Sequence, residues 1–136
     1  MARVLSLDYG LKRCGLAATD ELQIIASPLH TVDTPQLLAY LSDYLQREPV
    51  QTLVIGQATA RDGSDNPLEK PIQSLILALN KAFPLLLIAR EDEHGTSMSA
   101  KAIINFAVSK KKNRQQKGLV DKISAAIILQ NYLGLY

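Results

Sequence analysis

The stretch that decides the fold is residues 4–20, which read VLSLDYGLKRCGLAATD. A short apolar run with high β-propensity leads straight into Asp8. A second apolar run follows after a turn, where Gly10 supplies the backbone freedom that the reversal of the chain needs. The pattern therefore predicts a hairpin of strands 3–8 and 14–19 whose first strand ends on a carboxylate.

Two cations, Lys12 and Arg13, fall on or beside this predicted turn, and Gly15 is predicted to help shape it. A carboxylate at a strand end with cations nearby suits a metal or phosphate site. Cys14 is interpreted as a small core residue of the second strand and not as a nucleophile. As the single cysteine of the chain, it excludes an intrachain disulfide and any zinc site built from cysteine alone.

Length and hydropathy predict one domain over residues 1–136, long enough to bury a core. No apolar run approaches the roughly 18 residues that a membrane span requires. The N-terminus enters strand-like sequence directly, without the apolar segment of a signal peptide. These features predict a cytoplasmic protein with no membrane partner.

The net charge of +2 hides an asymmetry along the chain. Residues 1–93 carry a net charge of −4, whereas residues 94–136 carry +6. Five cations are concentrated in one predicted basic loop: Lys110, Lys111, Lys112, Arg114 and Lys117. Such a density can neutralise several phosphates of a nucleic acid, although a solvated segment without a partner is the alternative. No aromatic residue interleaves with these cations, so base stacking is not expected there.

The first half of the remaining chain alternates between strand and helix patterns. A third strand over residues 24–31 is predicted to bend, or to lie at a sheet edge, at Pro28. Thr34 is predicted to cap a helix that ends before Pro49. A short apolar strand over residues 51–55 is expected to follow, stopping at Gly56, with a polar loop from Gln57 onward.

The second half continues the alternation. A helix is predicted from a cap at Asn66 to Phe83, and then a strand over residues 85–89 that is buried on both faces. A further helix is expected from Thr96 or Ser97 to about Val108, and a last, mostly buried helix over residues 119–132. The order predicts an α/β fold: a mixed sheet with three antiparallel strands first and parallel strands added later.

Three carboxylates stand where apolar sequence would otherwise continue, namely Asp8, Glu93 and Asp121. If they converge, their oxygen ligands suit one or two Mg²⁺ ions, which can activate water for phosphodiester cleavage. Each also has a structural alternative. Asp8 can cap a turn, Glu93 can belong to a solvated acidic loop, and Asp121, in the first turn of its predicted helix, can be stabilised by the helix dipole.

With these residues in place, the chain resembles the YqgF family of ribonuclease H-like proteins, also called RuvX. The opening motif is Asp8-x-Gly10-x-Lys12-Arg13-x-Gly15, and the middle motif is Asp92-Glu93 after an apolar strand. The closing motif lies in residues 117–133, KGLVDKISAAIILQNYL. The resemblance covers the whole length of the chain, with the three motifs in order.

The resemblance implies a ribonuclease H-like fold with a five-stranded mixed sheet flanked by helices. It implies that Asp8, Glu93 and Asp121 are both the catalytic residues and the ligands of Mg²⁺ or Mn²⁺, with two ions favoured over one. The implied activity is a nuclease that matures the 5′ end of small-subunit (pre-16S) ribosomal RNA. An older assignment for the family is resolution of Holliday junctions in DNA recombination and repair.

Two sites depart from the family pattern, and a third differs from resolvases of the same fold. Gln57-Ala58 stands where the family usually has Leu-Pro, and His94 stands where an arginine usually follows the Asp-Glu pair. Ser124 occupies the position, one helical turn after Asp121, at which resolvases of this fold carry a further acidic residue. The last departure counts against the junction-resolving interpretation.

The leading hypothesis is therefore a metal-dependent phosphodiesterase that acts on structured RNA, with branched DNA as the alternative substrate. Lys12, Arg13 and the five cations of the basic loop are expected to bind the nucleic-acid backbone, and His94 is a candidate accessory group for proton transfer or phosphate contact. A nucleic-acid-binding module with weak catalysis is a second hypothesis. An ATP-binding relative is a third, disfavoured because such proteins need two domains of this kind. Monomer and homodimer are both left open.

Overall fold

The computed structural model describes residues 2–57, 67–92 and 117–134, apart from the side chains of Gln57, Asp92 and residues 117–121. Five strands lie in these ranges: β1 (Arg3–Asp8), β2 (Arg13–Thr19), β3 (Ala26–Asp33), β4 (Val50–Gln57) and β5 (Leu87–Asp92). Three α-helices lie in the same ranges: α1 (Leu37–Arg47), α2 (Glu69–Ala82) and α3 (Lys117–Leu133). A 3₁₀ turn, Thr34–Gln36, precedes α1.

The strands form one sheet in the order β3-β2-β1-β4-β5. The pairs β1–β2 and β2–β3 are antiparallel, and β4 and β5 run parallel to β1. This arrangement confirms the predicted five-stranded mixed sheet and its antiparallel start. The central position of β1 explains why its apolar residues are fully buried.

Helices cover both faces of the sheet because consecutive residues of the central strands are apolar and point alternately to the two faces. On one face, Leu5 and Leu7 belong to a buried cluster that also contains residues of α1 and α2. On the other face, Val4 and Val54 pack in a second buried cluster with the apolar residues of α3. The face covered by α3 carries the candidate site and is called the α3 face below.

The third strand lies at an edge of the sheet, as Pro28 predicted. It begins two residues later than expected and extends to Asp33. Leu16 is registered with His30 and Ala17 with Pro28, so one additional residue of β3 forms a bulge beside the proline.

The predicted burial of the last strand on both faces is wrong. β5 is the other edge strand, and it begins at Leu87 and not at residue 85. Leu85 is 94% exposed and Leu87 is 64% exposed, whereas Leu86 is buried. An unbroken apolar run resembles a doubly buried strand, but a strand at a sheet edge has a neighbour on one side only.

Several predicted element ends also move. β4 continues through Gly56 to Gln57, so Gln57 ends a strand and does not open a loop. The hydroxyl of Thr34 makes no helix cap, because it donates a hydrogen bond to the carbonyl oxygen of Gly10 at 2.7 Å. α2 begins at Glu69, three residues after the predicted cap at Asn66, which lies outside the described residues.

The predicted helix over residues 96–108 lies outside the described part of the chain. The last helix begins at Lys117, two residues earlier than predicted. Its middle is largely buried, as predicted, through Ser124, Ala125, Ala126, Ile128 and Leu129. No helix in residues 2–57, 67–92 and 117–134 is long and apolar enough to cross a membrane.

Candidate active site

The candidate site lies at the edge of the sheet where the three parallel strands end. β1 ends at Asp8, β4 at Gln57 and β5 at Asp92, and the carboxyl ends of parallel strands meet at one edge. Edges of this kind are where ligands bind in open α/β sheets. Glu93 follows Asp92 directly in sequence and lies outside the described residues.

The sheet divides at this edge. The registered pairing of β1 with β4 ends at Leu7 and Ile55. The pairing of β1 with β2 continues one residue further, to Asp8 opposite Gly15, and that of β4 with β5 continues to Gln57 opposite Asp92. Beyond the last β1–β4 pair, the sheet therefore continues as two separate strand pairs. Asp8 ends the β1–β2 pair, and the backbone of Asp92 ends the β4–β5 pair.

Asp8 lies on the α3 face, because it shares the alternation of Val4 and Ser6 along β1. Ser6 is fully buried, and its hydroxyl donates a 2.6 Å hydrogen bond to the carbonyl oxygen of Ala125 in α3. Asp121 precedes Ala125 by one helical turn. A direct hydrogen bond between β1 and α3 thus connects the elements that carry Asp8 and Asp121.

Asp121 does not fall in the first turn of its helix, which corrects the dipole explanation. α3 begins at Lys117, so Asp121 is its fifth residue, and the first turn contains no acidic residue. The favourable effect of a helix N-terminus on a negative charge is confined to the first turn. The helix dipole therefore does not explain the position of Asp121. The side chain of Asp121 is not among those that the structure describes.

The turn between β1 and β2 is held by hydrogen bonds from Thr34. A Cβ atom on Gly10 would collide with the carbonyl oxygen of Arg13, which explains the glycine. Thr34 donates its hydroxyl to Gly10 and its backbone N–H to the carbonyl oxygen of Lys12 at 3.0 Å. The buried Cys14 Sγ lies 3.4 Å from the Thr34 hydroxyl oxygen, and its complete burial confirms its assignment to the core.

Gly15 does not shape the turn as predicted, because it lies inside β2 opposite Asp8. Lys12 is exposed in the turn, whereas Arg13 is half-buried as the first residue of β2. The alternation of β2 places Arg13 on the α3 face, two residues before Gly15. Tyr9 follows Asp8 in the sequence. Burial raises the pKa of its hydroxyl, and the electrostatic interaction with Cys14 raises that pKa to a smaller extent.

The other predicted site residues lie wholly or partly outside the described residues. Lys117 begins α3 and is not part of a loop, and its side chain is outside the description. His94 and the cations Lys110, Lys111, Lys112 and Arg114 also lie outside the described residues. Within the described part of the chain, no three His, Cys, Asp or Glu residues gather as a metal-binding group.

An ion pair that the sequence did not indicate lies at the same carboxyl end of the parallel strands. It joins Arg90 of β5 to Glu69 of α2. The guanidinium donates to both carboxylate oxygens, at 2.5 and 3.1 Å. It also donates to the carbonyl oxygens of Ile55 and Gly56, at 3.3 and 3.2 Å. The sequence signal for this pair is a single arginine that directly precedes the acidic residues 91–93.

The family assignment rests on the whole chain. The family model RuvX, described as a Holliday junction resolvase, matches residues 2–134. A protein of Christiangramia forsetii is 46% identical over 134 residues, which cover 98% of each chain. The chain belongs to the RuvX family.

The RuvX relatives share one name and nearly the full length. The proteins of Christiangramia forsetii, Flavobacterium johnsoniae and Amoebophilus asiaticus are each called "Putative pre-16S rRNA nuclease". The Flavobacterium protein is 42% identical over 98% of this chain and 96% of its own. The Amoebophilus protein is 43% identical over 100% of this chain and 96% of its own.

Solved structures confirm the ribonuclease H-like fold of this RuvX chain. Thermus thermophilus RuvC, in complex with a Holliday junction substrate, superposes with a TM-score of 0.57 at 17% identity, covering 99% of this chain and 98% of that one. A second structure of that RuvC gives a TM-score of 0.54 at 12% identity, covering 98% and 97%. At these identities the likeness concerns the fold alone.

Proposed function

We propose that this RuvX chain is a divalent-metal-dependent nuclease that hydrolyses phosphodiester bonds and processes the 5′ end of pre-16S ribosomal RNA. The observation that carries the proposal is Asp8, which ends the central strand on the α3 face where the sheet divides. Full-length relatives that are 41–46% identical carry the name of a nuclease for this RNA. The proposed enzyme is a single domain that acts in the cytoplasm as a monomer or a homodimer.

Asp8, Glu93 and Asp121 are the proposed metal ligands and catalytic residues. The donor chemistry fits, because three carboxylates supply the oxygen ligands that Mg²⁺ and Mn²⁺ prefer. Ser6 supports the arrangement, since its bond to Ala125 holds α3 against the strand that carries Asp8. When bound, two such ions would activate water and stabilise the leaving oxygen.

Binding of the substrate is assigned to cations that flank this edge. Lys12 is exposed on a turn that Thr34 holds in place, so its ammonium group is available to a phosphate. Arg13 lies on the α3 face beside the position of Asp8. The basic segment of residues 110–117 supplies further cations for sequence-independent contacts with the backbone of structured RNA, and His94 is an accessory candidate.

Cleavage of the precursor RNA tests the proposal. The purified chain, given pre-16S RNA with its 5′ extension and Mn²⁺, is expected to shorten the extension. Asp8→Asn, Glu93→Gln and Asp121→Asn are each expected to reduce the rate at least 100-fold, because each substitution removes a negatively charged ligand. Asp43→Asn is the matched control: Asp43 lies on α1, where it pairs with Arg47 on the surface. Full activity in Asp8→Asn and Asp121→Asn would refute the assignment.

Resolution of Holliday junctions is the second candidate function. It is favoured by the description of the family model and by the fold shared with RuvC. The buried hydroxyl of Ser124, at the position where resolvases of this fold carry an acid, counts against it. A synthetic four-way junction assayed beside the RNA separates the two: symmetrical nicking of the junction without cleavage of RNA would favour resolution. RNA or junction binding without cleavage of either would favour a binding module.

A further inference from the structure

An ion pair between Arg90 and Glu69 lies at the same end of the sheet as the candidate site, on the opposite face from Asp8. Arg90 shares the alternation of Leu86 and Ile88 along β5, and these two residues belong to the core cluster under α1 and α2. Asp8 lies on the α3 face. The guanidinium of Arg90 is therefore separated from Asp8 by the sheet itself.

The carbonyl groups that accept from Arg90 mark the place where the sheet divides. Ile55 is the last β4 residue registered with β1, and Gly56 follows it. Nε of Arg90 donates to the Ile55 carbonyl oxygen, and one terminal nitrogen donates to that of Gly56. Beyond this point β4 no longer pairs in register with β1, and Arg90 supplies hydrogen bonds that hold the end of β4 to β5.

Glu69 fixes the orientation of the guanidinium from the first turn of α2. Both of its carboxylate oxygens accept from Arg90, and Oε2 also accepts from Gln73 at 3.1 Å. The two side chains are only 20% and 32% exposed. A bidentate pair with this burial is more rigid than a surface ion pair, because the planar fork of arginine matches a carboxylate.

We propose that Arg90, oriented by Glu69, is a positioning residue that fixes the ends of β4 and β5 against each other, and that metal binding at the neighbouring Asp8 depends on this fixed end of the sheet. The inference rests on the proposed metal-dependent function, in which Glu93 follows β5 and Asp8 ends β1. Divalent ions require their ligands within a narrow range of distances. Loosening the end of β4 and β5 is thus expected to weaken metal binding without removing any ligand.

The test compares arginine variants by Mn²⁺ titration calorimetry in the absence of RNA and by hydrogen–deuterium exchange. Arg90→Gln is expected to weaken Mn²⁺ binding about tenfold and to accelerate exchange in β4 from Ile55 to Gln57. Arg90→Lys keeps the charge but loses the fork, so an intermediate loss is expected. Arg47→Gln is the matched control, since it breaks an exposed pair with Asp43 on α1 and should leave both measurements unchanged.

A second control separates positioning from general stability. Leu41→Ala removes a fully buried side chain of α1, and it is expected to lower the melting temperature without changing the Mn²⁺ affinity of the folded chain. An Arg90→Gln variant that melts earlier but binds Mn²⁺ as tightly as the wild type would overturn the inference while leaving the proposed function intact. A wild type that binds Mn²⁺ and cleaves neither RNA nor DNA would overturn the proposed function, and the titration would still decide the role of Arg90.

Discussion

The hydroxyl of Ser6 donates a 2.6 Å hydrogen bond to the main-chain carbonyl oxygen of Ala125, a residue 119 positions later in the chain. Asp8 follows Ser6 by two residues, and Asp121 precedes Ala125 by four. One buried contact therefore sets the relation between the strand and the helix that carry two of the proposed metal ligands. The first prediction concerns this contact.

Ser6→Ala is expected to lower the free energy of unfolding by about 1–2 kcal/mol, because it removes a buried hydrogen bond. Denaturant unfolding measures the difference. Ser124→Ala is the matched control: its hydroxyl is equally buried and, among the described residues, has no hydrogen-bond partner. That substitution should be neutral or slightly stabilising, and equal losses in both variants would contradict the assigned role of Ser6.

Gly10→Ala should destabilise the turn between β1 and β2. A Cβ at this position meets the carbonyl oxygen of Arg13, and relief requires the backbone to move, at a cost of about 1–3 kcal/mol. Because Lys12 lies in the same turn, RNA binding should weaken as well. Thermal unfolding and a filter-binding assay measure the two effects. Leu11→Ala, at a largely exposed position of this turn, should change stability little.

Lys12→Gln should weaken the binding of precursor RNA and reduce its dependence on salt. Loss of one phosphate contact lowers the magnitude of the slope of log K against log salt by about 0.7–0.9. Binding titrations at several salt concentrations give this slope. Lys81→Gln, in the last turn of α2, changes the net charge equally and should leave the slope unaltered. Identical slopes for Lys12→Gln and the wild type would exclude a phosphate contact.

Asp20 makes part of the stability dependent on pH. Its carboxylate accepts from the backbone N–H groups of Ile25, Ile24 and Leu22, at 2.8, 2.9 and 3.2 Å, and these bonds, that of Ile25 first, lower its pKa below the usual 3.8. A lowered pKa in the folded state contributes stability that is present above the unfolded pKa and is lost as the pH falls through the folded pKa.

Asp20→Asn keeps an acceptor oxygen but removes the charge. The wild type should therefore be more stable than the variant at neutral pH, and the difference should shrink as the pH falls toward and through the folded pKa. Urea unfolding followed from pH 7 down to about pH 2.5 measures the difference. A stability difference that does not change with pH would show that the charge of Asp20 contributes nothing.

Local sequence patterns predicted the parts of the fold whose interactions are close in the chain. The β1–β2 hairpin followed from two apolar runs around Gly10, because such a turn depends on neighbouring residues. Pro28 indicated a bend or an edge position for β3, because proline has no backbone N–H to donate within a central strand. Cys14 was correctly predicted to lie in the core, because its immediate neighbours in the sequence form an apolar strand.

Features that depend on distant neighbours were predicted wrongly or missed. The exposure of Leu87 follows from the place of β5 at the end of the strand order, which its apolar run did not indicate. The Thr34 hydroxyl bonds to Gly10, 24 residues away, and not to its own helix. Arg90 pairs with Glu69, which lies 21 residues earlier in the chain, so no local sequence pattern could predict this ion pair.

By itself, the sequence determined the family, the mixed α/β sheet and the identity of the three candidate carboxylates, because motif spacing and hydrophobic period are properties of the chain alone. Only the tertiary structure decided that the registered β1–β4 pairing ends at Leu7 and Ile55, that Ser6 bonds to Ala125 of α3, and that Arg90 bonds to the end of β4. The physical reason is that strand order, hydrogen-bond register and buried ion pairs arise from packing between segments that are far apart in the chain.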